Sequence, residues 1–201
     1  MSLYINPNDS MLKEKIERLS PTSGFCIFID MVGSTALKDQ GLSRWIAFIY
    51  NVFANITTYL YMKFTPIKIM GDCFMFYIPE SDMKDETALT IFDGLYKIIS
   101  SNEPYLRDVK IGATFCRDAY NISFVEANVD FYGKDIDLAS RLQSLAHPKE
   151  IVFNGEFYNR VHQRYESIMN KNNFPYMNRI IKFSSQIPGF REEIFAYRLL
   201  A

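Results

Sequence analysis

The stretch IKIMGDCFMFYI, residues 67–78, consists of two apolar segments separated by Gly71 and Asp72. Isoleucine, phenylalanine and tyrosine are typical of strands, and a Gly-Asp pair between two such segments predicts a hairpin with a two-residue turn. Turn chemistry by itself accounts for an aspartate here, because Asp tolerates unusual backbone angles. It does not account for Lys68, four residues before Asp72. The rest of the chain has to show whether Asp72 also has a function.

Length and composition restrict the class of protein. The chain has 201 residues, of which 48% are hydrophobic and 15% aromatic, enough for one domain with a hydrophobic core. No long apolar run is present, and charges are scattered through the first twenty residues, so we expect neither a membrane span nor a secretory signal. The net charge of −1 does not favour a nucleic-acid surface, but it allows an anionic small substrate whose charge a metal neutralises.

The cysteines indicate a reducing compartment. Cys26, Cys73 and Cys116 lie inside apolar, strand-like segments, which is typical of buried thiols in a cytoplasmic protein. Together with His147 and His162 they show no zinc-binding spacing.

Hydrophobic periodicity predicts an α+β sandwich with a mostly antiparallel sheet. Residues 1–20 form a polar lead with a short helix, and residues 21–201 form one domain. The predicted strands are 24–31, the two arms of the hairpin, 109–116 and 121–127 as a second pair, 150–154, 178–185 and 193–200. The predicted helices are 42–62, 84–100 with Asp85 and Glu86 in its first turn, 132–146 and 154–169. Helix 42–62 is apolar on most faces, so we expect the sheet or a partner chain to cover much of it.

A second aspartate lies at the end of a predicted buried strand. An ionised Asp30 is costly there unless it is paired or binds a metal. Gly33, Ser34 and Thr35 follow and lead into a helix, where small residues and free backbone N–H groups suit a phosphate. The alternative is that Ser34 or Thr35 only caps the helix. Asp30 and Asp72 together could hold two divalent ions roughly 3.5–4 Å apart, as in two-metal phosphoryl transfer.

Three segments carry a resemblance to a known family: FIDMVGST (28–35), KIMGDCFMFY (68–77) and DFYGKDIDLASRL (130–142). In this order and at these separations they resemble the signature blocks of class III nucleotide cyclases. The resemblance covers about residues 22–200. It implies a ferredoxin-like α+β catalytic domain that works as a head-to-tail homodimer. The family makes 3′,5′-cyclic nucleotides from nucleoside triphosphates.

The resemblance also implies roles for individual residues. The metal ligands are Asp30, Asp72 and the carbonyl of Met31, for two divalent ions of which Mn²⁺ is favoured and Mg²⁺ is possible. The phosphate loop consists of the amides of Gly33, Ser34 and Thr35. The base-binding residues are Lys68 and Asp130, with Phe25 as a further candidate.

Arg141 matches the arginine that stabilises charge on the α-phosphate in the transition state, which is what electrostatic catalysis requires. The alternative is a surface arginine that forms an ion pair with Asp137, one turn earlier. The family usually has Asn at position 137, and an ionised Asp cannot donate a hydrogen bond to the ribose ring oxygen. Asp137 must then be protonated, accept from a sugar hydroxyl or pair with Arg141.

In the head-to-tail homodimer, Asp30 and Asp72 come from one chain and Asp137 and Arg141 from the other, which gives two symmetric sites. Lys182 and Arg191 are candidates for the cation that binds pyrophosphate, and the sequence does not choose between them.

The base remains open. Lys68 can donate to a base acceptor and Asp130 can accept from a base donor, which fits adenine and disfavours guanine, but cytosine and uracil also satisfy the pair. Phe25, Phe74 and Phe76 could reduce the pocket volume, although each is also an ordinary core residue of a strand. The block with Asp137 resembles the stand-alone pyrimidine cyclases of bacterial antiphage signalling, the Pycsar type. That likeness implies UTP ahead of CTP, a cyclic UMP or cyclic CMP messenger and a separate downstream effector, whereas the Lys68 and Asp130 pair favours ATP.

Two other classes of function compete with the cyclase. A module of cyclase-like fold that binds nucleotide without turnover is favoured by Asp137 and opposed by the presence of both metal aspartates and Arg141. A ferredoxin-like RNA-binding module predicts a basic face with exposed aromatic residues, and the near-neutral net charge argues against it.

Overall fold

The computed structural model describes residues 3–60, 66–83, 87–125, 128–167 and 175–201. The strands in these ranges are β1 (Leu3–Tyr4), β2 (Thr22–Met31), β3 (Lys68–Met70), β4 (Cys73–Pro79), β5 (Val109–Ser123), β6 (Phe131–Tyr132), β7 (Glu150–Asn154), β8 (Ile181–Ser185) and β9 (Ile194–Leu200). The helices are α1 (Leu12–Glu17), α2 (Ser34–Lys38), α3 (Leu42–Tyr59), α4 (Thr87–Ser100), α5 (Lys134–Leu145) and α6 (Gly155–Ser167). None of the helices within the described ranges has the length and apolar character needed to span a bilayer.

The sheet is mostly antiparallel, as the sequence predicts. Its strand order is β3-β4-β2-β5-β7-β9-β8, and β1 and β6 pair with the distal part of β5. Only the β1–β5 and β5–β7 pairs are parallel; the other described pairs are antiparallel. The α+β prediction is confirmed.

The hairpin of residues 67–78 forms with the predicted turn. Met70 pairs with Cys73, so Gly71 and Asp72 are the two turn residues. Gly71 has a φ of +69°, a left-handed conformation that glycine adopts without steric cost. The hairpin places β4 directly beside β2, and Asp72 lies at the edge of the sheet where β2 ends.

The two faces of the sheet are covered by different helices. One face carries the large core, in which side chains of β2 and β4 pack against α3, α4 and α6. The opposite face carries a smaller cluster under α5, which includes Cys26, Phe28 and Ile136. Because strand residues alternate between faces, Phe25 belongs to the large core and Asp30 to the α5 side.

One predicted strand pair is wrong. Segments 109–116 and 121–127 do not form a hairpin, because β5 runs without a turn from Val109 to Ser123. The four residues between the segments, 117–120, include no glycine or proline, and pairing with other strands keeps them extended: Ala119 pairs with Thr22, and Tyr120 pairs with Tyr132. Strand β1, which the sequence analysis did not predict, pairs with the end of β5.

The other predicted helices and strands form within their described parts, with two shifts: Tyr132 belongs to β6 and not to the helix predicted over 132–146, and the strand predicted over 178–185 begins at Ile181. Some residues of the predicted helices and strands lie outside the described residues: 61–62, 84–86, 126–127 and 168–169. Asp85 and Glu86 are among them. Helix α3 buries Val52 and Ile56 against the sheet, while Leu42, Ile46 and Tyr50 remain exposed. In the single chain the sheet therefore covers one face of this helix, and the expectation that a partner chain covers part of the rest stays a prediction.

Candidate active site

The register of the sheet brings Asp30 and Asp72 to the same place. Asp30 is the last residue but one of β2, and it lies opposite Cys73 of β4. Asp72 immediately precedes Cys73, so the two carboxylates lie at neighbouring strand ends. Burial, followed by the negative charges of Asp30 and Asp72, raises the pKa of the Cys73 thiol to about 12. Both carboxylates are therefore close enough to Cys73 to raise the pKa of its thiol, which places them near each other at this end of the sheet.

Asp30 is held from two sides on the α5 face of the sheet. Lys110 of β5, its cross-strand neighbour, places Nζ 3.3 Å from Oδ2 of Asp30. Gln143 of α5 donates a hydrogen bond of 2.9 Å from Nε2 to the same oxygen. No sequence motif points to Lys110 or Gln143. Both contacts fix the orientation of the carboxylate that the cyclase motif identifies as a metal ligand.

Asp72 is held by the loop that follows β2. The Ser34 hydroxyl donates a hydrogen bond to Oδ2 of Asp72, and Ser34 is almost fully buried. The N-cap of α2 is Gly33, with a φ of +80°, and no side chain caps this helix. The alternative in which Ser34 or Thr35 only caps the helix is therefore wrong. The Ser34 hydroxyl donates to Asp72 and not to the helix end, and Thr35 is exposed.

The oxygen atoms around this point suit a hard divalent cation. Within the described ranges, no group of three or more His, Cys, Asp and Glu side chains is assembled for a metal. Asp30, Asp72 and the nearby Met31 carbonyl supply oxygens alone, the donor set that Mg²⁺ and Mn²⁺ prefer. Mg²⁺ is commonly bound by only one or two carboxylates, with water and substrate phosphates as the other ligands. These residues therefore fit the divalent ions that the cyclase motif implies.

The predicted base-binding pair is in direct contact. Lys68 of β3 forms an ion pair with Oδ2 of Asp130, although 62 residues separate them along the chain. The Asp130 side chain is 8% exposed, and its Oδ1 accepts a hydrogen bond of 2.9 Å from the backbone N–H of Phe131. Tyr132, which the sequence analysis did not include, donates its hydroxyl proton to Oδ2 at 3.1 Å. It stands two residues after Asp130, the spacing at which an extended chain returns to the same face, and that signal could have identified it.

Phe25 does not join this pair. It is fully buried in the large core, with its ring edge-on to Phe115 at 5.1 Å and to Phe157 at 4.9 Å. Lys68 pairs with Met75, which packs in the cluster under α5 on the other face of the sheet. The assignment of Phe25 to base binding is therefore corrected: it is a core residue.

Other aromatic candidates follow the same pattern. Phe74 and Phe76 are also fully buried in the large core, so they do not narrow a pocket beside Lys68.

Asp137 and Arg141 lie on the outer side of α5. Both side chains are exposed, and neither contacts Asp30 or Asp72 among the described interactions. The described ion pairs do not include one between Asp137 and Arg141, so the alternative of a surface pair is not observed. The single chain thus brings together the two aspartates predicted to bind metal and, separately, the pair predicted to bind the base, but the described contacts do not bring Arg141, the predicted catalytic arginine, to either.

The two candidate cations for pyrophosphate lie near the C-terminus. Lys182 of β8 places Nζ 4.9 Å from the ring centre of Phe195. Arg191 is exposed in the connection between β8 and β9. Within the described interactions neither Lys182 nor Arg191 contacts Asp30 or Asp72.

Comparison with known protein families decides the classification. The model of the adenylate and guanylate cyclase catalytic domain matches residues 22–180, which contain all three signature segments and the sheet from β2 to β7. The chain belongs to this family. It is a class III nucleotide cyclase domain, and the resemblance drawn from the sequence is confirmed at that level. A comparison with curated protein sequences gives no match.

Solved structures share the fold of this cyclase domain. The adenylyl cyclase CyaB from P. aeruginosa is 16% identical with a TM-score of 0.67, over 92% of this chain and 96% of that one. The guanylate cyclase domain of RhGC from Catenaria anguillulae, in complex with GTP, is 14% identical with a TM-score of 0.64, over 90% and 97%. A non-canonical dimeric guanylyl cyclase domain of the RhoGC fusion protein from Blastocladiella emersonii is 12% identical with a TM-score of 0.62, over 90% and 97%. At these identities the likeness concerns the fold.

Proposed function

We propose that this cyclase domain converts a pyrimidine nucleoside triphosphate, UTP ahead of CTP, into the 3′,5′-cyclic monophosphate and pyrophosphate. The observation that carries the proposal is the ion pair of Lys68 with Asp130, together with the Tyr132 ring beside it. Lys68 Nζ lies 5.9 Å from the centre of that ring. The ring occupies space next to the donor and acceptor that would read the base, and a single-ring base needs less of that space than a purine.

Asp30, Asp72 and the Met31 carbonyl would hold the two divalent ions, Mn²⁺ or Mg²⁺. When bound, these ions supply Lewis-acid activation of the ribose hydroxyl and neutralise the triphosphate. The backbone amides of Gly33, Ser34 and Thr35 would bind phosphate oxygens beside the ions.

The chain's own contacts prepare this end of the site. Lys110 and Gln143 orient Asp30, and Ser34 orients Asp72. Ligand side chains that are held by such outer contacts need less reorganisation when a metal binds.

Completion of the site requires a second copy of the chain. Arg141 is exposed on α5 and makes no described contact with Asp30 or Asp72, which supports a role for it in a site formed with another molecule. In a head-to-tail homodimer, the partner's Arg141 would stabilise charge on the α-phosphate, while Asp137 would accept a hydrogen bond from a ribose hydroxyl. Each dimer would contain two such sites.

ATP is the second candidate substrate, and the same pair favours it. Adenine offers a ring nitrogen that accepts from Lys68 and an amino group that donates to Asp130. Two features then distinguish a pyrimidine from adenine: the smaller size of the base, and the presence of Tyr132 as a third hydrogen-bonding group beside Lys68 and Asp130.

Incubation of the purified protein with ATP, GTP, CTP and UTP in separate reactions, each with Mn²⁺, tests the proposal by mass spectrometry of cyclic monophosphates. Cyclic UMP, followed by cyclic CMP, is the expected product. The Asp72→Ala variant is the matched control and should form none of them. Cyclic AMP as the main product would contradict the pyrimidine assignment but keep the cyclase. No product under any condition would favour a nucleotide-binding module without turnover.

We also propose that the product is a second messenger of antiphage defence that acts on a separate effector. The cellular test is to measure cyclic nucleotides before and after phage infection in cells that carry this protein or its Asp72→Ala variant. A rise in cyclic UMP or cyclic CMP on infection is expected with the unaltered protein alone. Equal levels before and after infection would contradict a defence role.

A further inference from the structure

Three polar groups converge at the base-binding pair. The Lys68 ammonium and the Tyr132 hydroxyl both donate to Oδ2 of Asp130. Oδ1 of the same carboxylate is engaged by the backbone N–H of Phe131 at 2.9 Å, which fixes the plane of the carboxylate. One acceptor oxygen is therefore flanked by two side-chain donors. We call Lys68, Asp130 and Tyr132 the base-reading set.

The base-reading set has a defined hydrogen-bonding order: donor, acceptor, donor. Lysine can only donate, an ionised aspartate can only accept, and the tyrosine hydroxyl here donates. A ligand that displaces the two internal contacts must supply the complementary order, which is acceptor, donor, acceptor. A ligand that leaves one of these partly buried groups unpaired loses affinity.

Among the four nucleobases only uracil has this complementary edge. Its N3–H is flanked by the carbonyl oxygens O4 and O2. Cytosine has an amino group in place of one carbonyl and an unprotonated N3 that faces Asp130. Adenine has one ring acceptor and one amino donor. Guanine also offers a carbonyl for Lys68 and a ring N–H for Asp130, so the expectation from the sequence that this pair disfavours guanine is wrong. Guanine is instead disfavoured at the third position, where it has an amino group in place of the second carbonyl of uracil.

The geometry points to Tyr132 as a specificity-determining residue that donates to the second carbonyl of uracil and so selects UTP. This inference rests on the proposed function, because it concerns the base of the same triphosphate. Lys68 donates to the first carbonyl and Asp130 accepts from N3–H. The base-reading set then makes all three hydrogen bonds with the O4, N3–H and O2 edge of uracil, and its three side chains are already in contact in the free protein.

The surroundings of Tyr132 support this role. Its ring packs edge-on against Phe124, with ring centres 5.7 Å apart, and its backbone pairs with Tyr120 of β5. The backbone is therefore fixed in the sheet and the side chain is held by Phe124 and Asp130, while 41% of the residue remains exposed to solvent. Burial, and then the contact with Asp130, raises the pKa of the Tyr132 hydroxyl, which keeps its proton available for donation.

The test replaces one hydroxyl. Tyr132→Phe retains the ring and its contact with Phe124, and Asp130 keeps Lys68 and the Phe131 N–H as donors, so the fold is expected to persist. Tyr120→Phe is the matched control, because Tyr120 is the cross-strand neighbour of Tyr132 and its hydroxyl makes no described hydrogen bond. For each protein, kcat and KM are measured with UTP, CTP, GTP and ATP, and thermal unfolding checks the fold.

In the unaltered protein, UTP should have the highest kcat/KM. Tyr132→Phe should lower kcat/KM for UTP about tenfold, mainly through KM, because a base contact is made equally in the ground and transition states. The values for CTP and ATP should change little, and Tyr120→Phe should behave as the unaltered protein.

Two results would overturn the inference in different ways. If UTP is the best substrate and Tyr132→Phe leaves the ratio of UTP to CTP unchanged, the role of Tyr132 is wrong while the pyrimidine cyclase remains. If the unaltered protein prefers CTP, ATP or GTP, the uracil assignment is wrong. Preference for a purine also contradicts the proposed function itself.

Discussion

Gln143 of α5 donates a 2.9 Å hydrogen bond to Asp30 of the same chain, whereas Arg141, two residues earlier on the same helix, is exposed and directed away from the sheet. Residues two apart on a helix lie on different faces. One helix therefore holds Asp30, the proposed metal ligand of its own chain, while Arg141, the proposed catalytic arginine, lies on another face of the same helix. This division is the structural reason to expect that a complete site needs two chains.

Removal of the Gln143 amide should weaken metal binding. In Gln143→Ala, Asp30 keeps Lys110 but loses the contact that orients its carboxylate, and losses of such contacts typically cost about 10–100-fold in metal affinity or activity. The Mn²⁺ concentration that gives half-maximal cyclase activity should rise by about tenfold. A titration of activity with Mn²⁺ measures it.

Gln163→Ala is the control for that experiment, since Gln163 is exposed on α6, away from Asp30. Equal Mn²⁺ dependence of Gln143→Ala and Gln163→Ala would show that the hydrogen bond to Asp30 has no part in metal binding.

Close packing of α5 on β5 makes a second prediction. A Cβ at Gly112 would lie 2.2 Å from the backbone N of Gln143 and 2.3 Å from the carbonyl oxygen of Ala139, and neither backbone atom can move without the helix. Gly112→Ala should lower the free energy of unfolding by about 1–3 kcal/mol and also lower activity, because the helix that carries Gln143 must shift. Urea denaturation and an activity assay measure the two effects.

Gly155 offers the comparison for Gly112. A Cβ at Gly155 has only Tyr197 at 3.9 Å, which is ordinary contact. Gly155→Ala should therefore leave stability and activity nearly unchanged. Gly112→Ala as stable as Gly155→Ala would contradict the close packing of α5.

Asp135 gives a prediction about pH. Burial is the largest cause of its raised pKa, and the backbone N–H of Arg117, which donates to Oδ2 at 3.3 Å, opposes the shift. A raised pKa means that the folded protein binds this proton more tightly than the unfolded chain. The contribution to stability is present below the ordinary value of 3.8 and is lost as pH rises through the folded pKa.

Asp135→Asn should therefore stabilise the protein more at pH 7 than at about pH 3, because it removes the buried charge while an amide oxygen still accepts from Arg117. Urea midpoints of both proteins at the two pH values measure the difference. A stability difference that is the same at both pH values would contradict the cost of ionising Asp135.

Much of the fold followed from local patterns. The hairpin was predictable because Gly71 and Asp72 separate two strand-like segments, and β2 because it is continuously apolar. The unbroken course of β5 was not predictable, because residues 117–120 are kept extended by pairing with residues distant in sequence, such as Thr22 and Tyr132. Pairing with distant segments leaves no local signal.

The site was predictable where a motif fixes the residue. Lys68 and Asp130 were predicted to bind the base together; the structure shows the two side chains in contact, and their role in base binding stays a prediction. Phe25 was misassigned to base binding, although the alternation of side chains along a strand argued against it. Phe25 and Asp30 are five residues apart on β2, so they face opposite sides of the sheet, and Asp30 faces α5. Gln143 has no motif of its own; its contact with Asp30 depends on how α5 lies on the sheet.

The measurement that most directly tests the central claim, a metal-dependent cyclase completed by a second copy, is complementation between two inactive variants. Asp30→Ala removes a proposed metal ligand and Arg141→Ala removes the proposed catalytic arginine, and each variant alone should be inactive. After the two are mixed, unfolded and refolded together, random pairing places one intact site in each mixed dimer, and activity should return to on the order of a quarter of that of the unaltered protein. Mixed dimers that are shown to form and yet remain inactive would contradict the shared site.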